Sequence, residues 1–395
     1  MRILHTSDWH IGRTFHGHST DEHLRQVLSA IAQAVADYGV DVVVVAGDVF
    51  DSSTPKSDAF TLLADALRAI RAHGAQVVLT SGNHDGPARL AHNAAFASAG
   101  GVHIEADITD LSPVTLADEH GEVLIYGIPY LHPEFMRAAY ADFTGSSHED
   151  ALAFAMDLIR ADALSRAAEG SPRYVVASHC FAAVGGTAPP ETTEASGRAE
   201  ERDITRGGLN IVDASVFDGA AYVALGHIHS RQTLAETVRY SGAPLRFSFG
   251  ERSSVKGAWL VDVGASGVDA VEWLELPTPR AAVRLEGTLA QLLANPDPAA
   301  QEAWVEVVLT DDQLPREAMR TLQEVYPHAV TLSHAPAHRH EHGEHDYAAR
   351  VEGKSDAELV EEFLAFVRNG AGASAAETEL LHAALDAADA EEATR

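Results

Sequence analysis

For its first hundred residues the chain alternates unbroken apolar runs with amphipathic stretches. "RILHTS", "VDVVVVAGDVFD" and "AQVVLTSGNHD" have apolar cores without polar alternation, the pattern of strands covered on both faces. Between them, "STDEHLRQVLSAIAQAVADYG" puts Leu24, Val27, Leu28, Ile31 and Val35 on one helical face and stops at Gly39. "PKSDAFTLLADALRAIRAHG" predicts a second helix, with Pro55 near its start and Gly74 at its end. "ARLAHNAAFASAGG" predicts a third. "EVLIYGIPY" and "RYVVASHC" follow as strands around a helix over residues 148–169, then "AAYVALGHIHS". "TVRYSGAPLRFSFGE", "GAWLVDVG" and "DAVEWLEL" close the region as strands. Such an order predicts an α/β fold, a layered β-sandwich flanked by helices.

Two prolines in "LELPTPR", residues 274–280, mark a boundary. Beyond it, residues 281–333 give strand, helix, strand, helix and strand, a small α+β domain. We expect a first domain over 1–275, the small domain over 280–335, a polar linker over 336–354 and two helices over 355–390 around "NGAGAS".

Composition changes this picture in two respects. A single cysteine, Cys180, excludes an intrachain disulfide. No apolar run reaches the roughly 18–20 residues of a membrane span, and the start shows no signal-peptide pattern. The expectation is a cytoplasmic protein with no membrane partner. Charge is the second respect: 28 Lys and Arg against 58 Asp and Glu give −30. That balance argues against a nucleic-acid ligand, which usually meets a basic footprint. Much of the acid lies in "ADEHGEV", "PETTEASGRAEER" and "DAADAEEATR", away from the first strands, and bound metal ions can still hold a phosphate.

The chemistry sits at the strand ends. Asp8 and His10 follow the first strand and, one residue apart, point to one side of an extended chain. Asp48 follows "VVVVAG"; Asn83, His84 and Asp85 follow "VVLTSG"; His179 follows "YVVAS"; His227 and His229 follow "YVALG". Any one of these alone is an ordinary cap or loop residue. Five strand ends in succession bring carboxylate, imidazole and amide oxygen, without thiolate, to one sheet edge. Asp8, His10, Asp48, Asn83, His179, His227 and His229 exceed the four donors of one tetrahedral ion and suit two ions sharing a carboxylate, the arrangement that clamps both oxygens of an in-line phosphoryl displacement. Gly47, Gly82 and Gly226 allow close backbone approach there.

"SDWHIG", "GDVFD", "GNHD", "SHC" and "GHIHS" resemble, in order and spacing over about residues 1–275, the motifs of the calcineurin-like metallophosphoesterases. "HTSDWHIGRTFHG", "AGDVFDSSTP" and "YSGAPLRFSFGE" are more closely similar to the SbcD family, nuclease subunits of bacterial SbcCD complexes. The resemblance implies a metal-dependent DNA nuclease, a 3′→5′ double-strand exonuclease and hairpin endonuclease in DNA repair, recombination and replication. Two divalent ions, manganese in this family, would be held by Asp8, His10, Asp48 and His229 and by Asp48, Asn83, His179 and His227, with Asp48 bridging. His84 would protonate the leaving 3′-oxygen, with Asp85 supporting it or its loop. The small domain would be a capping domain. The terminal helices, with a stripe of Leu359, Phe363, Phe366 and Val367, would dock on an SbcC-type ATPase in a heterotetramer built on a homodimer of this subunit. The family's Ser-Glu-Arg element is incomplete here: "SGRAEERDITRGG" keeps Glu201 and Arg202 without the serine before them.

Three further features enter as expectations. His338, His340, His342 and His345 form a His-x-His pattern expected to be a solvated linker. Cys180 is expected to be a buried small residue. Arg13, Arg89, Arg231 and Arg246 lie near the motif loops as candidate phosphate contacts. Two other functions compete: a small-molecule phosphodiesterase of the same superfamily, which the acidic charge favours, and an ATPase-recruiting scaffold with a degenerate site, which the full ligand set disfavours.

Overall fold

The computed structural model describes residues 1–167, 172–185, 211–336, 353–368 and 370–392. Glu201, Arg202 and the four histidines of the 338–345 run lie outside the described residues. The chain divides into two compact units, Met1–Arg280 and Ala281–Arg395.

Two six-stranded sheets build the first unit. From edge to edge, one runs Val268–Glu275, Gly257–Val263, Arg2–Thr6, Val42–Ala46, Gln76–Thr80 and Val102–Glu105. The other runs Gln232–Thr233, Val238–Tyr240, Tyr222–Gly226, Tyr174–His179, Gly121–Ile128 and Val114–Asp118. The apolar strands at the centre of each sheet are parallel, so their C-terminal ends reach a common edge.

Both faces of each sheet are covered, which is why the central strands lack alternation. Ile3, Val42, Val44 and Val78 of the first sheet pack against Val123, Ile125, Val175 and Ala224 of the second. The outer face of the first sheet takes the helices Asp21–Tyr38 and Ser57–Ala72 through Leu24, Ile31, Leu62 and Ile70. That of the second takes His148–Arg166 through Leu152, Met156 and Ile159. The result is the expected sandwich.

Two local expectations fail, and two strands carry no sequence signal. The single helix over residues 88–101 is two short ones, Pro87–Leu90 and Ala94–Ala99. The closing strand "TVRYSGAPLRFSFGE" is strand only at Val238–Tyr240; it then turns and ends in a 3-10 turn at Phe249–Glu251. The strands Val102–Glu105 and Val114–Asp118 escape the apolar pattern because they carry little of it.

At the end where the parallel strands begin, the sheets are clipped together. Arg173, from the second sheet, donates to both oxygens of Asp118 at 2.9 and 2.7 Å and to the Gly264 carbonyl at 2.8 Å, which follows a first-sheet strand. The Met1 amino group reaches the same Asp118 at 2.9 Å.

In the second unit, Ala282–Gly287, Trp304–Leu309 and Ala329–His334 form a parallel three-stranded sheet. Val305, Val307, Leu322 and Tyr326 make its core. The helices Asp356–Val367 and Ala375–Glu392 follow, tied by Arg368 to the Glu377 carboxylate at 3.1 and 2.9 Å. Ser355 and Glu358 cap the first of them reciprocally.

Candidate metal centre

Each expected residue sits at the common edge. Asp8, His10, Asp48, Asn83 and His84 leave the first sheet; His179, His227 and His229 leave the second. The backbone turns sharply to present them. Asp8, His10, Asp48 and His227 have φ of 52°, 44°, 48° and 106°, a left-handed region costing about 1–3 kcal/mol per residue. Local bonds hold the turns: the Asp8 and His10 amides donate to the carbonyls of Gly47 and Asp48 at 3.1 and 3.0 Å. Glycine is required where the loops touch. A Cβ at Gly82 would lie 2.1 Å from an Asp48 carboxylate oxygen, and one at Gly226 would lie 1.9 Å from the Ala46 carbonyl of the opposite sheet.

Outer contacts decide which ring nitrogens face inward. His179 Nδ1 donates to the Ala46 carbonyl at 3.0 Å. His10 Nδ1 faces the Asp51 carboxylate at 3.3 Å, and His229 Nδ1 faces that of Glu251 at 3.6 Å. With those nitrogens turned to acceptors, the three Nε2 atoms point inward, where each can ligate once it carries no proton. There they crowd. His10 Nε2 and His229 Nε2 are 3.0 Å apart. His179 Nε2 lies 3.3 Å from Asp48, 3.0 Å from the Asn83 amide oxygen and 3.3 Å from His227 Nδ1. His227 Nδ1 is 3.1 Å from the same amide oxygen. Buried acceptors crowded in this way need a positive charge among them, a proton or a metal ion.

Among the described residues, three sets have donor atoms within 4.8 Å of one another: Asp8, His10 and His229; Asp8, Asp48 and His179; His10, Asp48 and His84. Asp8 and Asp48 thus each join both sheets. The donor set fits divalent metal. His84 has its amide bonded to Asp48 at 2.9 Å and its Nδ1 3.1 Å from the Asp51 carbonyl, so its Nε2 remains for other work. Asp85 does not reach the His84 ring: it accepts from the amides of Val49, Phe50 and Gly82 at 3.0, 2.8 and 2.9 Å and braces the loops.

Electrostatics follow the geometry. Burial pushes His10 and His227 down to about 3. Burial also pulls on His179, but the Asp48 and Asp8 carboxylates outweigh it and lift that imidazole to about 9. Asp48 is buried yet held well below its ordinary range by His179 and His10. Burial raises Asp8, opposed by His179 and His229. A divalent ion would supply the positive charge that the His179 proton supplies in its absence.

Other expectations meet different fates. Burial pushes the Cys180 thiol up to about 12, which leaves it a small core residue. The arginines are engaged in the protein: Arg13 with Asp51 at 3.4 Å, Arg89 on the Ser53 carbonyl at 2.7 Å, Arg231 over the Trp273 ring at 4.7 Å and Arg246 on the Ser254 carbonyl at 2.7 Å. Sequence reasoning missed Asp51, Glu251 and Lys256. Lys256 donates to Glu251 at 2.5 Å and to the His229 carbonyl at 2.9 Å, fixing ring support and backbone together. Asp51 lies inside "GDVFD" and was findable as a carboxylate three residues past Asp48; the other two carry no local signal.

Comparison with known proteins agrees with this geometry. The sequence-family model for calcineurin-like phosphoesterases matches residues 1–231. A second, described as the Type 5 capsule protein repressor C-terminal domain, matches residues 279–368. The SbcD subunit of the SbcCD nuclease of Escherichia coli K12 is 30% identical over 336 residues, 82% of this chain and 81% of that protein. The SbcD subunits of Rhodobacter capsulatus and Bacillus subtilis are 35% and 31% identical, over 79% and 83% of this chain and 81% and 84% of theirs. This chain belongs to the calcineurin-like metallophosphoesterases and, within them, to the SbcD family of metal-dependent phosphodiesterases. Among the described residues, no helix is long and apolar enough to cross a membrane.

Proposed function

We propose that this chain is the DNA-cleaving subunit of an SbcCD-type complex, acting 3′→5′ on duplex ends and on hairpins in DNA repair and recombination. The observation that carries the reading is the inward crowding of imidazole nitrogens around Asp8 and Asp48. Asp8, His10, Asp48 and His229 would hold one ion and Asp48, Asn83, His179 and His227 a second, with manganese the expected metal. Ions held there would acidify a shared water and neutralise the phosphoryl oxygens. His84, its Nδ1 held at the Asp51 carbonyl, keeps Nε2 to protonate the leaving 3′-oxygen. Asp51 and Glu251 hold His10 and His229 in the ligating tautomer.

The partners are those the SbcD relationship suggests, and exposed apolar groups support them. Phe363, Phe366 and Val367 are more than half exposed on the helix Asp356–Val367, a stripe suited to the groove of an SbcC-type ATPase. Phe60 and Phe96 are exposed on helices of the first unit and suit a homodimer contact, giving a heterotetramer with the ATPase. The small domain would cap the substrate, and the complex would work on cytoplasmic, nucleoid-associated DNA. A small-molecule phosphodiesterase is the second reading, favoured by the charge of −30 and by the engagement of the four loop arginines within the protein.

The test is cleavage with added manganese of linear duplex, hairpin DNA and bis-p-nitrophenyl phosphate, by wild type and His84→Ala. We expect DNA cleavage that needs manganese and falls about 10²–10⁴-fold in His84→Ala with metal content unchanged. Hydrolysis of the ester alone, with the ATPase partner present, would move the assignment to the second reading.

A further inference from the structure

Beside the metal centre, still within the first unit, lies a cavity of ≈ 480 Å³ bordered by Asn83, Ala106, Ile108, Tyr130, His132 and Phe135. Its volume falls in the roughly 300–1,000 Å³ range of small-ligand pockets, and it shares Asn83 with the candidate ligand set. The Tyr130 amide donates to the Ser81 carbonyl at 2.9 Å, tying the wall to the strand end that carries Asn83. The Tyr130 ring lies 6.2 Å from the His179 ring and 6.3 Å from the His227 ring, tilted only 32° from the latter. His132 follows at 4.9 Å from Tyr130, and Phe135 at 5.3 Å from His132. An aromatic series thus leads outward from the metal ligands.

The wall is firmly built. Leu131 and Met136 bury themselves in the core beneath the second sheet, which anchors the short helix Pro133–Ala139 while leaving Phe135 60% exposed. The polar lining selects against an anion. Asp85 and Asp107 are both on the boundary, and among the described residues no lysine or arginine is. A phosphate therefore has no counter-charge in the cavity, whereas a flat, neutral, largely apolar group has aromatic and aliphatic walls to pack on.

We infer that this cavity receives an unpaired nucleobase from one of the two nucleotides flanking the scissile phosphate. The inference rests on the nuclease reading and deepens it. A base stacked inside a duplex cannot enter a concave site, so the substrate must be frayed or single-stranded at that nucleotide. Stacking on aromatic side chains is sequence-tolerant and does not need a basic surface, which accounts for how a chain of net charge −30 engages DNA at its active edge.

The experiment uses the full chain with manganese and single-stranded oligonucleotides in which the base on either side of one cleavage position is replaced by an abasic analogue. Wild type and Phe135→Ala are compared, with Tyr130→Leu as the second variant and bis-p-nitrophenyl phosphate as the non-nucleotide ester that reports only on the metal centre's hydrolytic competence. We expect one of the two abasic substitutions to slow wild-type cleavage about tenfold. Phe135→Ala should slow the intact substrate by a similar factor and add little on that abasic one. Equal cleavage of intact and abasic strands by wild type, or a variant effect that persists undiminished on the abasic strand, overturns the base pocket while leaving the nuclease reading intact. Ester hydrolysis with no strand cleaved, even with the ATPase partner added, overturns both.

Discussion

The two ends of the sandwich handle buried charge in opposite ways. Where the parallel strands begin, Arg173, Asp118 and the Met1 amino group satisfy one another, and each bond is a donor meeting an acceptor. Where they finish, imidazole nitrogens face imidazole nitrogens and an amide oxygen, and four of the residues carrying them or next to them sit in left-handed backbone. One end is arranged for the protein by itself. The other is incomplete without a cation, and the fold bears its strain. Stability and chemistry are thereby separated by the length of a strand, and substitutions at the two ends should fail in different measurements.

The sharpest contrast is Asp48→Ala, which should remove both ions together and reduce manganese-dependent cleavage to background, with folding retained in far-UV circular dichroism. Metal analysis that finds one ion at full occupancy would remove the bridging role. Next comes Arg173→Met, which leaves the half-buried Asp118 with the Met1 amino group alone and deprives the Gly264 carbonyl of its donor; losing such bonds costs about 1–3 kcal/mol. It should lower the urea midpoint strongly while metal per folded molecule stays at the wild-type value. A loss of metal at native conditions would show the two ends are not separable.

Glu251→Gln probes the centre from outside. Replacing such an outer carboxylate costs metal affinity about 10–100-fold, so competition with a chelator should reveal one weakened ion and one unaffected. Equal weakening of both would dissolve the pairing of Glu251 with the His229 side.

The smallest effect is a pH dependence at the flank of the first sheet, one strand over from the one that carries Asn83. Glu105, half-buried on the edge strand, is raised by burial and by Asp110 to about 7. An acid raised in the folded state binds protons that the unfolded chain releases, so stability is full below about 4.5 and declines as pH rises through 7. Glu105→Gln should raise Tm by a few degrees at pH 8 and leave it unchanged at pH 4; an equal shift at both would show a packing effect.

The sequence made the two sheets and the candidate ligands legible for one reason. Parallel strands covered on both faces print as apolar runs, and the motif residues interrupt those runs at their ends. "VVVVAGD" and "YVALGHIH" are informative because Asp48 and His227 end an otherwise unbroken core. Supporting residues have no such frame. Glu251 reaches His229 only after the chain turns back through the irregular segment that sequence reading took for a strand, and Lys256 meets both after a further turn. The strand Val114–Asp118 was missed because its outward positions are polar or half-exposed, so its decisive residue, Asp118, could be weighed only with Arg173 beside it. Tyr130 was visible in "IPY" but had no reason to be singled out until its ring stood near His179 and His227.

The candidate ligands are divided between the sheets: Asp8, His10, Asp48 and Asn83 come from one, His179, His227 and His229 from the other. A cation among them is therefore a rivet through a seam. Sliding one sheet past the other by an ångström or two would leave every strand ladder whole and still pull the coordination apart. Metal retention thus becomes a gauge of sheet alignment, finer than any spectroscopic measure of secondary structure, and a partner that shears the sandwich would act on catalysis without touching a catalytic residue.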